Sequence, residues 1–136
     1  MKRTWSRILG AHQLAGPVAR SFVQLVPGST VRRVVAISSA GVADSAANTS
    51  SPLRWVFAHS NVQVAFDGLA DMERVFASSP LDWLAVRPTR LLDGPRRDRV
   101  EVCTAFRLWA SIARADVAHW MLDAVDRPHQ SVTERR

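Results

Sequence analysis

Two short apolar runs, one on either side of a long amphipathic stretch, constrain this chain more than any other feature. Residues 33–38 include Val34, Val35, Ala36 and Ile37, and residues 82–86 include Trp83, Leu84, Ala85 and Val86. Neither run alternates cleanly between apolar and polar, which is the pattern of strands covered on both faces, as in a parallel sheet. Between them, residues 62–78 repeat Val62, Ala65, Phe66, Leu69, Met72, Val75 and Phe76 at three- and four-residue spacing, the period of a helix buried along one side. Strand, helix and strand in that order make a right-handed crossover between parallel neighbours. The expectation is an α/β fold in which 33–38 and 82–86 are adjacent parallel strands.

Other segments fit around this unit. Residues 17–26 read as a helix, with Pro17 in a first turn that does not need its N–H and with Val18, Phe22, Leu25 and Val26 as its apolar face. Pro27-Gly28-Ser29 ends it. Residues 40–52 are small and polar and read as a loop at the carboxyl end of the first strand, a place where α/β proteins build sites. Residues 53–60 carry Trp55 and Phe57, both expected to be buried, and have no decisive period. Asn61 or Ser60 can cap the helix that follows, and Gly68 inside it suggests a close packing contact. After Arg87-Pro88 the chain reads as irregular through LLDGPRRD, while residues 99–103 alternate like a short edge strand. Residues 114–126 form a last helix with Val117, Trp120, Met121, Ala124 and Val125 on one face and Asp116 complementing the dipole of its first turn. The polar tail beyond Arg127-Pro128 is expected to fray.

Composition excludes several classes. The 136 residues suffice for one domain at most. No run of eighteen apolar residues occurs, so no membrane span is expected. Lys2, Arg3 and Arg7 are not followed by the apolar core of a signal peptide, and the lone Cys103 allows no internal disulfide; a cytoplasmic protein is the simplest expectation. The net charge is +6, yet the arginines are spread along the chain in small groups, which argues for a solvated surface and against nucleic-acid binding. His12, His59, His119 and His129 show no ligand spacing, so no metal site is expected.

Three segments, in order, resemble a known family. VRRVVAISSAGV (31–42) resembles the fifth strand and serine turn of short-chain dehydrogenases. DMERVFASSPLDWLAVRPTRLLDGP (71–95) resembles the helix–strand–Arg-Pro stretch of the atypical, NAD(P)H-binding branch of that family, which includes biliverdin/flavin reductase-like and nitrogen-metabolite-repressor-like proteins. IARADVAHWMLDAV (112–125) resembles the "isradvA" helix of the same branch. The resemblance runs from about residue 18 to residue 126 and implies a partial Rossmann-like domain, the C-terminal half, occupying residues 1–136 as a single unit.

The resemblance also implies roles. Ser39 falls where the family places its active-site serine, whose hydroxyl can hydrogen-bond the oxygen on which charge develops. Ser38, Arg87, Pro88 and Thr89 fall where the family's loops pass the nicotinamide of NAD or NADP. Glu73 and Asp116 read as structural, Glu73 as a partner for an arginine. Departures from the pattern are equally informative. The sequence contains no tyrosine, and counting back from Glu73, Leu69 and Ala65 stand where the lysine and tyrosine of the Tyr-x-x-x-Lys pair would be. Gly10 to Gly16 keeps only the outer glycines of a G-x-x-G-x-x-G phosphate turn, with Gln13 in the middle; this reads less as a degenerate phosphate turn than as the end of a preceding strand.

The function implied is that of a short-chain-dehydrogenase-like NAD(P)-binding oxidoreductase, truncated or divergent, transferring hydride to or from a small-molecule substrate. One alternative is a non-catalytic binding or regulatory module of the same fold; a second is a basic nucleic-acid-binding protein, which the diffuse charge disfavours. Dinucleotide binding by this chain alone is expected to be weak or absent. An exposed sheet edge is expected to promote homo-oligomers or aggregation.

Overall fold

The computed structural model describes residues 14–42, 62–102 and 110–127. Leu9 to Gln13, residues 43–61, the end of the 99–103 segment and the tail lie outside the described residues, as do Trp55, Phe57, Cys103 and the proposed caps at Ser60 and Asn61. The chain is interleaved between two compact units: the first takes residues up to Arg32 and then Gly41–Leu81, the second Arg33–Ala40 and then the chain from Asp82 onward.

Two helices make up the described part of the first unit. Helix α1 is Ala15–Leu25. Its first intrahelical bond runs from the Val18 N–H to the Leu14 carbonyl at 2.9 Å, so Pro17 sits in the turn whose N–H groups have no helical acceptor. Past its end, the Ser29 N–H donates to the Val26 carbonyl at 2.8 Å across Pro27 and Gly28, and Gly28 has φ +87°. Proline second and a left-handed glycine third is the requirement of a type II turn. Helix α2 is Val62–Ala77. At its end the Ser78 hydroxyl donates to the Arg74 carbonyl at 2.9 Å and the Ser79 hydroxyl to the Phe76 carbonyl at 2.7 Å, satisfying acceptors the helix leaves over.

The two helices pack on each other. Ala65, Leu69, Met72 and Phe76 of α2 are buried, as its periodicity predicts. The predicted face of α1 needs correction. Val18 and Leu25 are 62 % and 80 % exposed, and the buried positions are Gly16 and Ala19, with Val23 and Val26 half-buried. The reason is steric. A Cβ on Gly16 would lie 1.9 Å from Asp71 Oδ2, so a glycine is what lets α1 approach α2 here. Asp71 also accepts a 2.8 Å hydrogen bond from Arg20. Phe22 meets Phe76 edge to face, with centroids 6.2 Å apart and planes at 77°.

The second unit holds two parallel strand pairs and a helix. Strand β1, Arg33–Ile37, pairs with β2, Asp82–Val86, in parallel, with Val34 opposite Trp83 and Ile37 opposite Val86. Leu84 is buried, the neighbouring positions are half-buried, and Ile37 is 44 % exposed, less cover than the apolar run implies. Strand β3, Arg90–Leu92, pairs in parallel with β4, Ser111–Ala113, where an irregular segment was expected. Three-residue strands are too short to show a period, and their partners are some twenty residues apart. Of the 99–103 segment expected as a strand, residues 99–102 are described; they are not a strand and pair with none among the described residues.

Helix α3 is Arg114–Asp126, as expected, with Val117 and Ala124 buried and Trp120 and Met121 half-buried. Val125, expected on the same face, is 49 % exposed. Ala113 at the N-cap gives no side-chain cap. Among the described residues no helix is long and apolar enough to cross a membrane.

Candidate functional site

The serine turn and the Arg-Pro segment meet at the carboxyl ends of β1 and β2. Pairing continues past the last strand residues: the Ser38 N–H donates to the Val86 carbonyl at 2.7 Å, and the Ala40 N–H donates to the Pro88 carbonyl at 3.0 Å. In a parallel ladder the bond between these two would run from the N–H of residue 88 back to the Ser38 carbonyl. Proline has no N–H, so the ladder leaves that carbonyl out. The turn is thus zipped to its neighbour while one main-chain acceptor is excused from the sheet.

Ser38 and Ser39 differ sharply. Ser38 is 7 % exposed, and its hydroxyl oxygen is buried with no hydrogen-bond partner among the described residues. Ser39 is half-buried and its hydroxyl donates to the adjacent Ala40 carbonyl at 3.3 Å, a long contact that a rotating hydroxyl can exchange. Arg87, Pro88 and Thr89 are all half-buried. By register Ser38 lies opposite Arg87, on the face shared by Ala36 and Ala85, while Ser39 and Pro88 follow Ile37 and Val86 on the other face. Two serines therefore serve opposite faces of the same sheet end.

The residues at this end suit the nicotinamide portion of a dinucleotide. A carboxamide needs both acceptors and donors, and the Ser38 carbonyl and hydroxyl supply them. The pyrophosphate portion finds no comparable setting among the described residues. Gly16, the last glycine of the Gly10–Gly16 segment, lies inside the first turn of α1, and the space beside its α-carbon is taken by the Asp71 carboxylate. A carboxylate is a poor neighbour for a phosphate. Gly16 therefore serves helix packing; Gly10 to Gln13, and with them the reading of that segment, lie outside the described residues.

The positions where the usual acid–base pair would stand are structural. Ala65 and Leu69 are each 9 % exposed and belong to the apolar face of α2. Glu73 is buried at 4 % exposure, and the nearby Arg74 guanidinium lies 3.7 Å from Asp71. His119 lies on the flank of α3 with Nδ1 3.5 Å from Asp123. Sequence reasoning underestimated Asp116. It is 3 % exposed, and its Oδ1 accepts the N–H groups of both Arg97 and Asp98 at 2.9 Å. Its place in a helix first turn explained the residue well enough to hide this long-range task.

A sequence model described as NAD(P)H-binding matches residues 6–128. No curated protein sequence matches the chain. Among solved structures, the anaerobillin reductase ChuY from Escherichia coli O157:H7 superposes with a TM-score of 0.70 at 21 % identity, over 88 % of this chain and 55 % of its own. ChuY from E. coli strain CFT073 gives 0.66 at 23 % identity, over 82 % and 58 % respectively. A proposed NAD-dependent epimerase/dehydratase from Bacillus halodurans gives 0.62 at 24 %, over 80 % and 47 %. The chain thus spans about half the length of these solved chains, and at such identities the likeness establishes the fold as α/β and Rossmann-like. The family model covers most of the sequence: the chain belongs to the NAD(P)H-binding family.

Proposed function

We propose that this chain is the nicotinamide- and substrate-facing portion of a short-chain-dehydrogenase-like oxidoreductase. The observation that carries this reading is the pair of main-chain bonds, Ser38 to Val86 and Ala40 to Pro88, which hold the serine turn against the Arg-Pro segment at the carboxyl ends of parallel strands. That end of a parallel sheet is where α/β proteins bind ligands. Bound NAD or NADP would supply the hydride chemistry. The Ser39 hydroxyl would donate a hydrogen bond to the substrate oxygen on which negative charge develops, a kind of contact worth about 3 kcal/mol when the site excludes water. Ser38 and the Arg87–Thr89 segment would orient the carboxamide. The sequence has no tyrosine, so no phenol of this chain can donate the proton to that oxygen. Reductase activity is also what the name of the first structural neighbour describes.

A second reading is a non-catalytic module of the same fold. The apolar, buried Ala65 and Leu69 in place of a proton-donating pair favour it.

Two measurements on one sample separate these readings. Saturation-transfer NMR with NADH and with NADPH is expected to saturate the nicotinamide protons more than the adenine protons. Calorimetry is expected to give an affinity no tighter than about 0.1 mM, roughly −5.5 kcal/mol. Ser39→Ala should leave that affinity unchanged. Transfer centred on the adenine, or micromolar affinity, would overturn the assignment of the bound end; absence of transfer to either end would favour the non-catalytic module.

A further inference from the structure

The segment after β3 carries an unusual charge arrangement. Residues 90–101, with Arg114, contain Arg90, Arg96, Arg97, Arg99 and Arg114 against Asp93, Asp98 and Glu101. The two aspartates are already engaged. Asp93 accepts a 2.6 Å hydrogen bond from Arg114, and Asp98 pairs with Arg96. Arg97 and Arg99 are exposed, and their guanidinium groups have no hydrogen bond or ion pair among the described residues. Glu101, two residues further on, is the remaining acid of the segment.

The backbone that carries these two arginines is fixed, and at a cost. Asp98 has φ +54°, the left-handed region that a non-glycine residue enters only when its surroundings impose it. What imposes it is Asp116, whose single oxygen Oδ1 accepts the successive N–H groups of Arg97 and Asp98 from a site nearly closed to solvent. Successive amides converging on one oxygen form a nest, a backbone arrangement that recurs around anions. Here a side chain of the protein fills the nest, so its purpose is to shape the loop.

β3 and β4 are parallel, with Leu92 opposite Ala113, so the loop after β3 and the start of α3 after β4 leave from the same sheet end. The Arg114–Asp93 pair spans that end directly past the strand ends. It is the carboxyl end, the side on which ligands of parallel sheets bind.

We propose that Arg97 and Arg99 form an oxyanion-recognition site on this loop, with Asp116 as its positioning residue. The ligand is a small molecule bearing a carboxylate or phosphate, whose planar or tetrahedral oxygens the guanidinium fork matches in pairs. The source is either an acidic substrate or a phosphate of the dinucleotide. Attributing the anion to either rests on the oxidoreductase reading above; the site itself does not.

Amide NMR titration of the full chain tests this, with citrate as the carboxylate probe and pyrophosphate as the phosphate probe. The Arg97, Asp98 and Arg99 amides are expected to shift and saturate at millimolar probe, and the shifts to weaken as salt rises. Arg97→Ala/Arg99→Ala should reduce the affinity at least tenfold. Arg97→Lys/Arg99→Lys should retain part of it, since charge remains and the fork is lost. Saturation by citrate alone assigns the site to an acidic substrate, and saturation by pyrophosphate alone assigns it to a phosphate. Shifts of equal size at Arg20 and Arg32, or shifts that survive the double alanine substitution, mean diffuse charge only and overturn the proposal. These readouts follow protein amides and simple anions, so they fail independently of the nicotinamide measurement.

Discussion

Arg33 and Asp82 stand directly opposite each other at the amino ends of β1 and β2, with Arg33 Nη1 2.7 Å from Asp82 Oδ2. The arginine side chain is only 13 % exposed, and its Nε is buried without an acceptor among the described residues. The aspartate is therefore the guanidinium's main compensation for leaving water. Asp82→Ala is expected to destabilise the chain by about 2 kcal/mol, because it leaves a mostly buried charge unpaired. Denaturant midpoints of the two proteins at unchanged slope provide the check; a loss below about 0.5 kcal/mol would mean that water replaces the carboxylate.

The contact at Gly16 makes a prediction of opposite signs in two backgrounds. In the natural sequence Gly16→Ala drives a methyl into Asp71 and displaces it from Arg20. That should outweigh the helix-propensity gain of about 1 kcal/mol and give a net loss. In an Asp71→Ala background the obstruction is gone, and the same substitution should stabilise by about 1 kcal/mol. A double-mutant cycle measured by thermal or chemical unfolding reads the coupling directly. Additive effects would show that the helices do not approach at this point.

Asp116 should be among the more costly side chains to remove. Asp116→Ala deprives two backbone N–H groups of a charged acceptor, for an expected loss of about 3 kcal/mol. Hydrogen exchange locates the effect: the amides of Arg97 and Asp98 should lose protection while those of β1 and β2 keep theirs at matched stability. Uniform loss across the second unit would instead mark Asp116 as a general packing residue.

Ser38 offers the reverse case. Its buried hydroxyl has no partner among the described residues, so Ser38→Ala removes a desolvated group and should raise stability by about 1 kcal/mol. If that hydroxyl meets the carboxamide, the same variant should lose nicotinamide saturation transfer. Stability gained where binding is lost is the expected signature of a ligand site. A Ser38→Ala variant less stable than the natural chain would place the hydroxyl in a structural bond instead.

The sequence disclosed most of the long elements for a simple reason. The runs around Val35 and Leu84 and the repeat from Ala65 to Phe76 are each strong enough to survive without knowledge of their neighbours, and the structure pairs or packs all of them. What stayed hidden depends on partners distant in the chain. Val18 and Leu25 look like core residues until Asp71 is known to occupy the space beside Gly16, which turns α1 so that its small residues face inward. Strands β3 and β4 are visible only as a pair. The serine turn and the Arg-Pro segment could be named from the sequence, but the bonds that join them come from the register of β1 on β2.

The interleaving of the two units has a consequence for how quickly the chain can find its structure. The Arg33–Asp82 contact closes a loop of 49 residues, and the Arg20–Asp71 contact one of 51. Closing either from the unfolded chain costs about 3.5 kcal/mol beyond a constant, on a logarithmic dependence of chain entropy on length. The loops overlap. Once Arg33 has met Asp82, the path from Arg20 to Asp71 shortens to about 24 residues, and the second closure becomes cheaper by about 0.7 kcal/mol. Each unit's first long-range contact therefore lowers the entropic cost of the other's.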